Sequence, residues 1–282
     1  MFYKVKKYIK IVIVLLICVL MIGGCGQMEE KIPSTLNDIA HNVNKSLGYT
    51  VYIVENGEYV PYLVLTNNYN GNCLLLREHL LDEMRAYNYP DLHGSNFVAS
   101  YYENSEMDKF LSGEFVETLS SVKDNIVDSE IVIADKDSIG STGTKSKTIK
   151  RKVFLLSRSE ITGKKINIAV TEGVGLKCFR LRSITFSDSA RNANYEAIRL
   201  RIAKTASGEA RLWWLRTADT WCYNIVYGVT ADGGVSGTNV GGTEVAAFGY
   251  YYNGVRPAFC LPQDTAICEG DLDGEQVFVL GD

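Results

Sequence analysis

Apolar and polar positions divide the chain into several textures. The first is an unbroken apolar run, Ile11 to Ile22, behind a basic start of Lys4, Lys6, Lys7 and Lys10. The run is short for a membrane span and has the length of a signal-peptide core. Gln27 to about Leu47 is polar and reads as a tether, with a short helix over Thr35 to Val43. From Tyr49 the residues become β-branched and aromatic. Tyr49–Val54 and Tyr59–Leu65 predict strands joined at Asn56-Gly57, and Cys73–Arg77 predicts a third, together a meander.

Helical spacing follows. Ser105 is an N-cap, Met107, Phe110 and Leu111 share a face, and Gly113 is the expected stop. A second short helix is expected from Glu114 to Leu119, and a brief strand at Ile131–Ile133. Asp135 to Lys152 is polar and ends in Lys145, Lys147, Lys150, Arg151 and Lys152. With no aromatic residue between these charges, it reads as a solvated loop rather than an anionic-lipid contact. Val153–Leu156 reads as a buried strand, and Ser157 with Glu160 forms a capping box. Lys164 to Ile184 reads as an inserted β-rich excursion, and Ser189 to Lys204 as a helix.

Arg211 to Pro262 has a different character. Its ends, Trp213-Trp-Leu and Gly254-Val-Arg-Pro-Ala, read as core strands, and Pro257 removes a ladder donor from the second. Between them Trp221 to Val229 alternates, placing Trp221, Tyr223, Ile225, Tyr227 and Val229 on one face. Ala231–Gly234 is a hairpin turn, Val235–Val240 the return, and Thr243–Phe248 a further short strand. Gly, Ser, Thr, Asn and Tyr dominate, a composition resembling a paratope, where rigid rings supply area and small polar residues supply hydrogen bonds. Arg216 and Arg256 lie on the framing strands, and bracing of loops through carbonyls and carboxylates is expected of them before anion binding.

Composition changes this picture in three respects. The 282 residues suffice for one large domain. A net charge of −4 offers no global field for nucleic acid, which is excluded as a partner. Seventeen Tyr against ten Phe favours solvent-facing recognition. Of the seven cysteines, Cys73, Cys178, Cys222, Cys260 and Cys268 fall in the domain. No spacing suggests zinc; a Cys222–Cys260 disulfide and buried free thiols remain alternatives. The stretch offers too few clustered carboxylates for calcium, and the acidic residues after Asp264 lack EF-hand spacing, so no metal or cofactor is expected.

Two resemblances add to this reading. Gly23-Gly24 before Cys25 resembles a bacterial lipobox, which implies cleavage there, a lipid on the Cys25 sulfur and a place on the cell membrane facing outside the cytoplasm; an uncleaved signal anchor is the alternative. Trp213-Trp-Leu-Arg216, the Asp-Gly hairpin and Gly254-Val-Arg-Pro-Ala258 resemble the bacterial family called domain of unknown function 6273, as do Tyr102–Ser105 and Val153–Ser157 with Glu160. That resemblance implies an α+β, C-type-lectin-like fold related to the formylglycine-generating enzymes, with the closing strand in the core. It also implies ligand-binding positions at Tyr223, Asn224, Tyr227, Asn239, Tyr250, Tyr251, Tyr252 and Asn253, and structural roles for Trp213, Trp214, Arg216, Gly254, Arg256 and Pro257. The expected organisation is a signal peptide at 1–24, a tether at 25–47, the domain at 48–262 and an acidic tail at 263–282. The expected function is a surface-anchored, monomeric binding module for a glycan, peptide or cell-surface protein. A structural envelope protein docking one fixed partner is the alternative. Formylglycine-type catalysis needs paired reactive cysteines, which Cys222 and Cys260 do not supply in sequence, so an enzyme is not expected.

Overall fold

The computed structural model describes residues 33–40, 49–89, 98–181, 188–239 and 252–280. The expected meander is present: β1 (Thr50–Glu55), β2 (Glu58–Tyr69) and β3 (Asn72–Arg77) pair antiparallel in succession. β1 alternates, burying Val51, Ile53 and Glu55, as befits a strand covered on one face. Cys73 to Arg77 of β3 are all buried, and so is every residue of the closing strand β12 (Ala258–Leu261). These two adjacent strands are covered on both faces, which is why their sequences are continuous apolar runs. β12 continues to β7 (Val153–Phe154) at the sheet edge. Pro257 precedes β12, so its missing N–H interrupts no ladder within the strand.

The other edge corrects the expected tail. β13 (Cys268–Leu272) and β14 (Glu275–Leu280) form a hairpin, and β14 pairs in parallel with β1 to complete a seven-stranded sheet, ordered β13-β14-β1-β2-β3-β12-β7. Asp273 and Gly274 form its turn, both with positive φ (55° and 85°), the backbone that hairpin twist demands and Gly supplies without strain. Phe278, Val279 and Leu280 are buried. The tether prediction is corrected as well. Helix α1 (Leu36–Ala40) buries Leu36 and Ile39, and the Leu36 and Asn37 amides donate to the Thr265 and Gln263 carbonyls. Pro33–Asp282 therefore clusters as one unit. Cys25 and residues 41–48 lie outside the described residues.

Ser105 caps α2 (Glu106–Phe110) as expected, its side chain accepting from the Asp108 amide. Gly113 does not stop the helix. The chain runs on through a π-turn, Leu111–Phe115, and a last turn, Val116–Thr118, which buries Leu111, Phe115 and Val116. A buried apolar face outweighs one glycine's entropy cost. The basic segment is likewise no loop. β6 (Ser146–Arg151) pairs residue for residue with β5 (Ser129–Ala134). Only Ile149 of β6 points fully inward, while its charges meet acids across the structure: Lys147–Glu103, Lys150–Glu130 and Arg151–Asp108. The Ser157–Glu160 capping box is present at the start of α3 (Arg158–Thr162). The following segment is not β-rich: over its described part, to residue 181, it holds one isolated bridge, Ile166↔Ala169, and a 3₁₀ turn, Lys177–Phe179. α4 (Asp188–Arg201) fits the helix prediction.

A second sheet, ordered β10-β9-β8, carries the stretch of interest: β8 (Trp213–Ala218), β9 (Ile225–Val229) and β10 (Val235–Asn239). β8 is buried at every position. β11 (Tyr252–Asn253) pairs with β4 (Arg85–Ala86). Gly254 passes so close to its neighbours that a Cβ would lie 2.6 Å from Leu80 Cδ1, which explains glycine at that position.

Candidate recognition surface

The surface stands on a buried polar frame. Trp213 and Trp214 are both fully buried, and their indole N–H groups donate to the Arg201 and Arg85 carbonyls at 2.9 and 2.8 Å. Arg216 braces the loops around β8. Its guanidinium donates to both Glu160 carboxylate oxygens at 2.8 Å and to the carbonyls of Leu155 (2.7 Å), Val132 (3.1 Å) and Glu172 (3.2 Å). Tyr69 adds a hydroxyl to Glu160 at 2.6 Å. Glu172 is also buried; its carboxylate accepts from the Ala134 amide and the Thr217 hydroxyl. Burial pushes the Glu172 pKa up to about 7 against the pull of Arg216. Arg256 is buried too, donating to the Arg77 and Leu200 carbonyls and lying over the Trp213 ring at 5.2 Å. Desolvation pushes its pKa down to about 10. Both arginines thus act as braces.

From this frame the chain leaves β8 into a displayed loop. Asp219 shapes it: one carboxylate oxygen accepts from the Trp221 and Cys222 amides at 2.7 and 3.2 Å, and the other from the Tyr227 hydroxyl at 3.3 Å. Neighbouring segments clamp its backbone. The Thr220 amide donates to Ile168, the Thr142 amide donates to Thr220, and the Ser100 amide and hydroxyl both donate to the Tyr223 carbonyl, all at 2.9–3.0 Å. On this fixed backbone Trp221 is 60% exposed and Tyr223 53%.

The expected binding positions separate into groups. Tyr223 is displayed, with half-buried Asn224 beside it. Tyr252 is 52% exposed on β11, with half-buried Asn253 next in sequence. Tyr227 is turned inward on the central strand β9, 5% exposed, with the Arg158 guanidinium 5.5 Å from its ring centre. It supports the loop through Asp219 and is not on the displayed face. Asn239 ends β10, and its side chain is outside the described residues, as are Tyr250 and Tyr251 entirely. Trp221, the most exposed aromatic ring of this loop, was not among the residues the resemblance named; the alternation of Trp221 with Tyr223 was its signal. Asp219 and Glu172 gave no sequence signal as frame residues.

A cleft of about 290 Å³ lies between β4, α2 and the π-turn. Arg85 crosses it, stacked 3.6 Å above the Phe110 ring centre and bonded to Glu114 and Glu83 at 3.2 Å. Lys109 and Glu106 pair on its helical wall at 2.7 Å. Tyr89 lines the cleft, and a side-chain hydrogen bond ties it to Tyr252. Asn88 donates to the Ala99 carbonyl and accepts from the Glu106 amide, and the residue after Ala99, Ser100, holds the Tyr223 carbonyl.

Cys73, Cys178, Cys222, Cys260 and Cys268 are all free, so the Cys222–Cys260 alternative gives way to unpaired thiols. Burial pushes the Cys260 and Cys178 thiols up to about 12 and that of Cys73 to about 11. Among the described residues no group of three His, Cys, Asp or Glu is arranged to hold a metal ion, and no helix is long and apolar enough to cross a membrane.

These features define a mixed α+β domain, mostly sheet with a few short helices, that presents aromatic side chains from a braced loop. The chain belongs to the family described as Domain of unknown function (DUF6273), whose model matches residues 70–263. No curated protein and no solved structure shows a significant match to it.

Proposed function

We propose that this chain is a binding module of C-type-lectin-like architecture, held on the outer side of the cytoplasmic membrane by a lipid on Cys25, and that it recognises its ligand through Trp221, Tyr223 and Tyr252. One observation carries the reading: large aromatic side chains stand exposed on backbone that neighbouring segments clamp by hydrogen bonds. Exposed rings on mobile backbone would lose entropy on binding; rings on clamped backbone lose little. The high thiol pKa of Cys260 weighs against thiolate chemistry there, so binding is preferred to catalysis. Attachment rests on the apolar run before Gly23-Gly24-Cys25.

The test uses the full chain in detergent and its Trp221→Ala/Tyr223→Ala variant, applied to a glycan array and to envelope extracts. Ligand retained by the parent and lost by the variant, at unchanged melting temperature, supports the proposal. Equal retention by both, or none by either, overturns it. Incorporation of labelled fatty acid that disappears in Cys25→Ala tests the anchor separately.

A further inference from the structure

We infer that Glu172 is a pin under the displayed loop and that a proton on its carboxyl group tightens it, so the recognition face is held most firmly in acidic surroundings. The inference rests on the recognition reading above, because the loop in question carries Trp221 and Tyr223.

The first argument is position. Glu172 is fully buried and bonded to three elements. One carboxylate oxygen accepts from the Ala134 amide at the end of β5, and the other from the Thr217 hydroxyl on β8. Its own amide donates to the Ser159 hydroxyl on α3 at 3.0 Å. Three supports of the displayed loop start beside these bonds. From Ala134 the chain runs to Gly140, where an added Cβ would lie 3.5 Å from that of Tyr223, and to Thr142, whose amide donates to the Thr220 carbonyl. Just before Glu172 lies Ile168, whose carbonyl accepts from the Thr220 amide. From Thr217 the strand passes to Asp219, which holds the Trp221 and Cys222 amides. Letting go of Glu172 loosens all three at once.

The second argument is charge. Glu172, Glu160 on α3 and Arg216 on β8 are buried together, two carboxylates with one guanidinium. Arg216 directs both of its carboxylate bonds to Glu160, at 2.8 Å, and reaches Glu172 only at the carbonyl, at 3.2 Å. Tyr69 from β2, bonded to Glu160, and Tyr87, which follows β4, also face the cluster, and burial keeps both phenols protonated. The cluster therefore holds one negative charge in excess in a site closed to solvent, and a proton on Glu172 removes it. The neutral acid keeps its place. One oxygen still accepts from Ala134, and the other donates to the Thr217 oxygen, which has a second acceptor position besides the one the Arg158 amide uses. When the segment opens, the carboxyl group meets water and ionises at its ordinary value. Closed, it titrates at about 7 against an ordinary 4.5, so opening becomes easier as pH rises between those values and levels off above them.

Hydrogen exchange on the full chain in detergent, followed by NMR from pH 5 to pH 8 and corrected for intrinsic rates, tests this. The Ala134, Glu172 and Thr220 amides should lose protection roughly 40-fold between pH 5 and pH 7 and only about twofold more by pH 8. Amides of β3 and β12 should stay better protected throughout. In Glu172→Gln, which copies the neutral acid, the profile of the loop amides should be level. Thr217→Val takes one donor from the carboxylate and should carry the levelling-off to higher pH, a second readout should the first variant fail to fold. Three results overturn the inference: a parent profile without slope, loop amides that exchange no faster than those of β3 and β12, or a slope that persists in Glu172→Gln. No ligand enters the measurement, so its failure is separable from that of the recognition face. A level parent profile would leave Trp221 and Tyr223 as the binding rings and remove only the pin.

Discussion

Replacing Arg216 by Met keeps side-chain volume and removes the charge at the centre of the frame. Glu160 then loses two charge-assisted hydrogen bonds inside a site where both partners are essentially unexposed. Three carbonyls, those of Leu155, Val132 and Glu172, lose a donor each. Breaking a buried pair by deleting one member costs about 3–5 kcal/mol, because the remaining charge stays in a low-dielectric site. In a domain of this size that lowers the melting temperature by roughly 10 °C. Guanidinium denaturation followed by tryptophan fluorescence is the suitable assay, since Trp213 and Trp214 are buried on the same strand. The sign of the pH effect is fixed. Glu172 already binds its proton more tightly in the folded state than in the unfolded one, and losing the Arg216 charge strengthens that preference. The loss is therefore smaller at pH 5 than at pH 8. Arg216→Met/Glu160→Gln should recover part of it by removing one stranded charge. A loss under about 1 kcal/mol at pH 8, or an equal loss at both pH values with no recovery in the double variant, would refute the electrostatic argument and leave Arg216 as packing alone.

Three further outcomes are expected. Glu172 has a folded pKa near 7 against an ordinary value of 4.5, so the stability tied to its proton is full below about pH 4.5 and is lost as pH rises to about 7. The change is roughly 3 kcal/mol, and Glu172→Gln should flatten that slope in denaturation curves taken across the window. Ending the chain at Pro262 removes buried Ile267, Phe278, Val279 and Leu280 and uncovers the edge of β1, costing on the order of 5 kcal/mol or more; calorimetry measures it, and an unchanged transition would restore the reading of an acidic tail outside the domain. With a disulfide-exchange reagent, exposed Cys268 should react in the native state, while Cys73 and Cys260 should react only on unfolding.

Much of the frame was legible because local signals and burial agreed. The Ser157–Glu160 capping box, the apolar runs at Cys73–Arg77 and Ala258–Leu261, and the paired tryptophans all became what their patterns indicated. Elsewhere long-range pairing decided. Lys147, Ile149 and Arg151 alternate, but with a single inward aliphatic residue the strand is visible only once β5 lies beside it. The Asp273-Gly274 turn and the Val277–Leu280 run were strand signals masked by the acids around them. The resemblance named Tyr227 as a binding position and alternation set it on one face with Trp221 and Tyr223, but a central strand covered on both sides buries it. The cleft was not legible at all, since its walls come from two separate segments, Arg85–Tyr89 and Glu106–Glu114.

The parallel pairing of β14 with β1 has a mechanical consequence. Of the strands in the large sheet, β1 is first in the chain, and it lies between β2 and β14, with Tyr52 opposite Val279 and Ile53 opposite Leu280. A pull on the chain from its N-terminal side, the side an anchor would load, first meets α1 clasped to the 263–267 turn. Beyond that clasp the force runs along β1, across its hydrogen bonds to both neighbours. Those bonds share the load and must yield together, whereas a terminal hairpin would peel open one bond at a time. Under the proposed anchor and ligand, this arrangement would keep the domain folded while its displayed face is pulled.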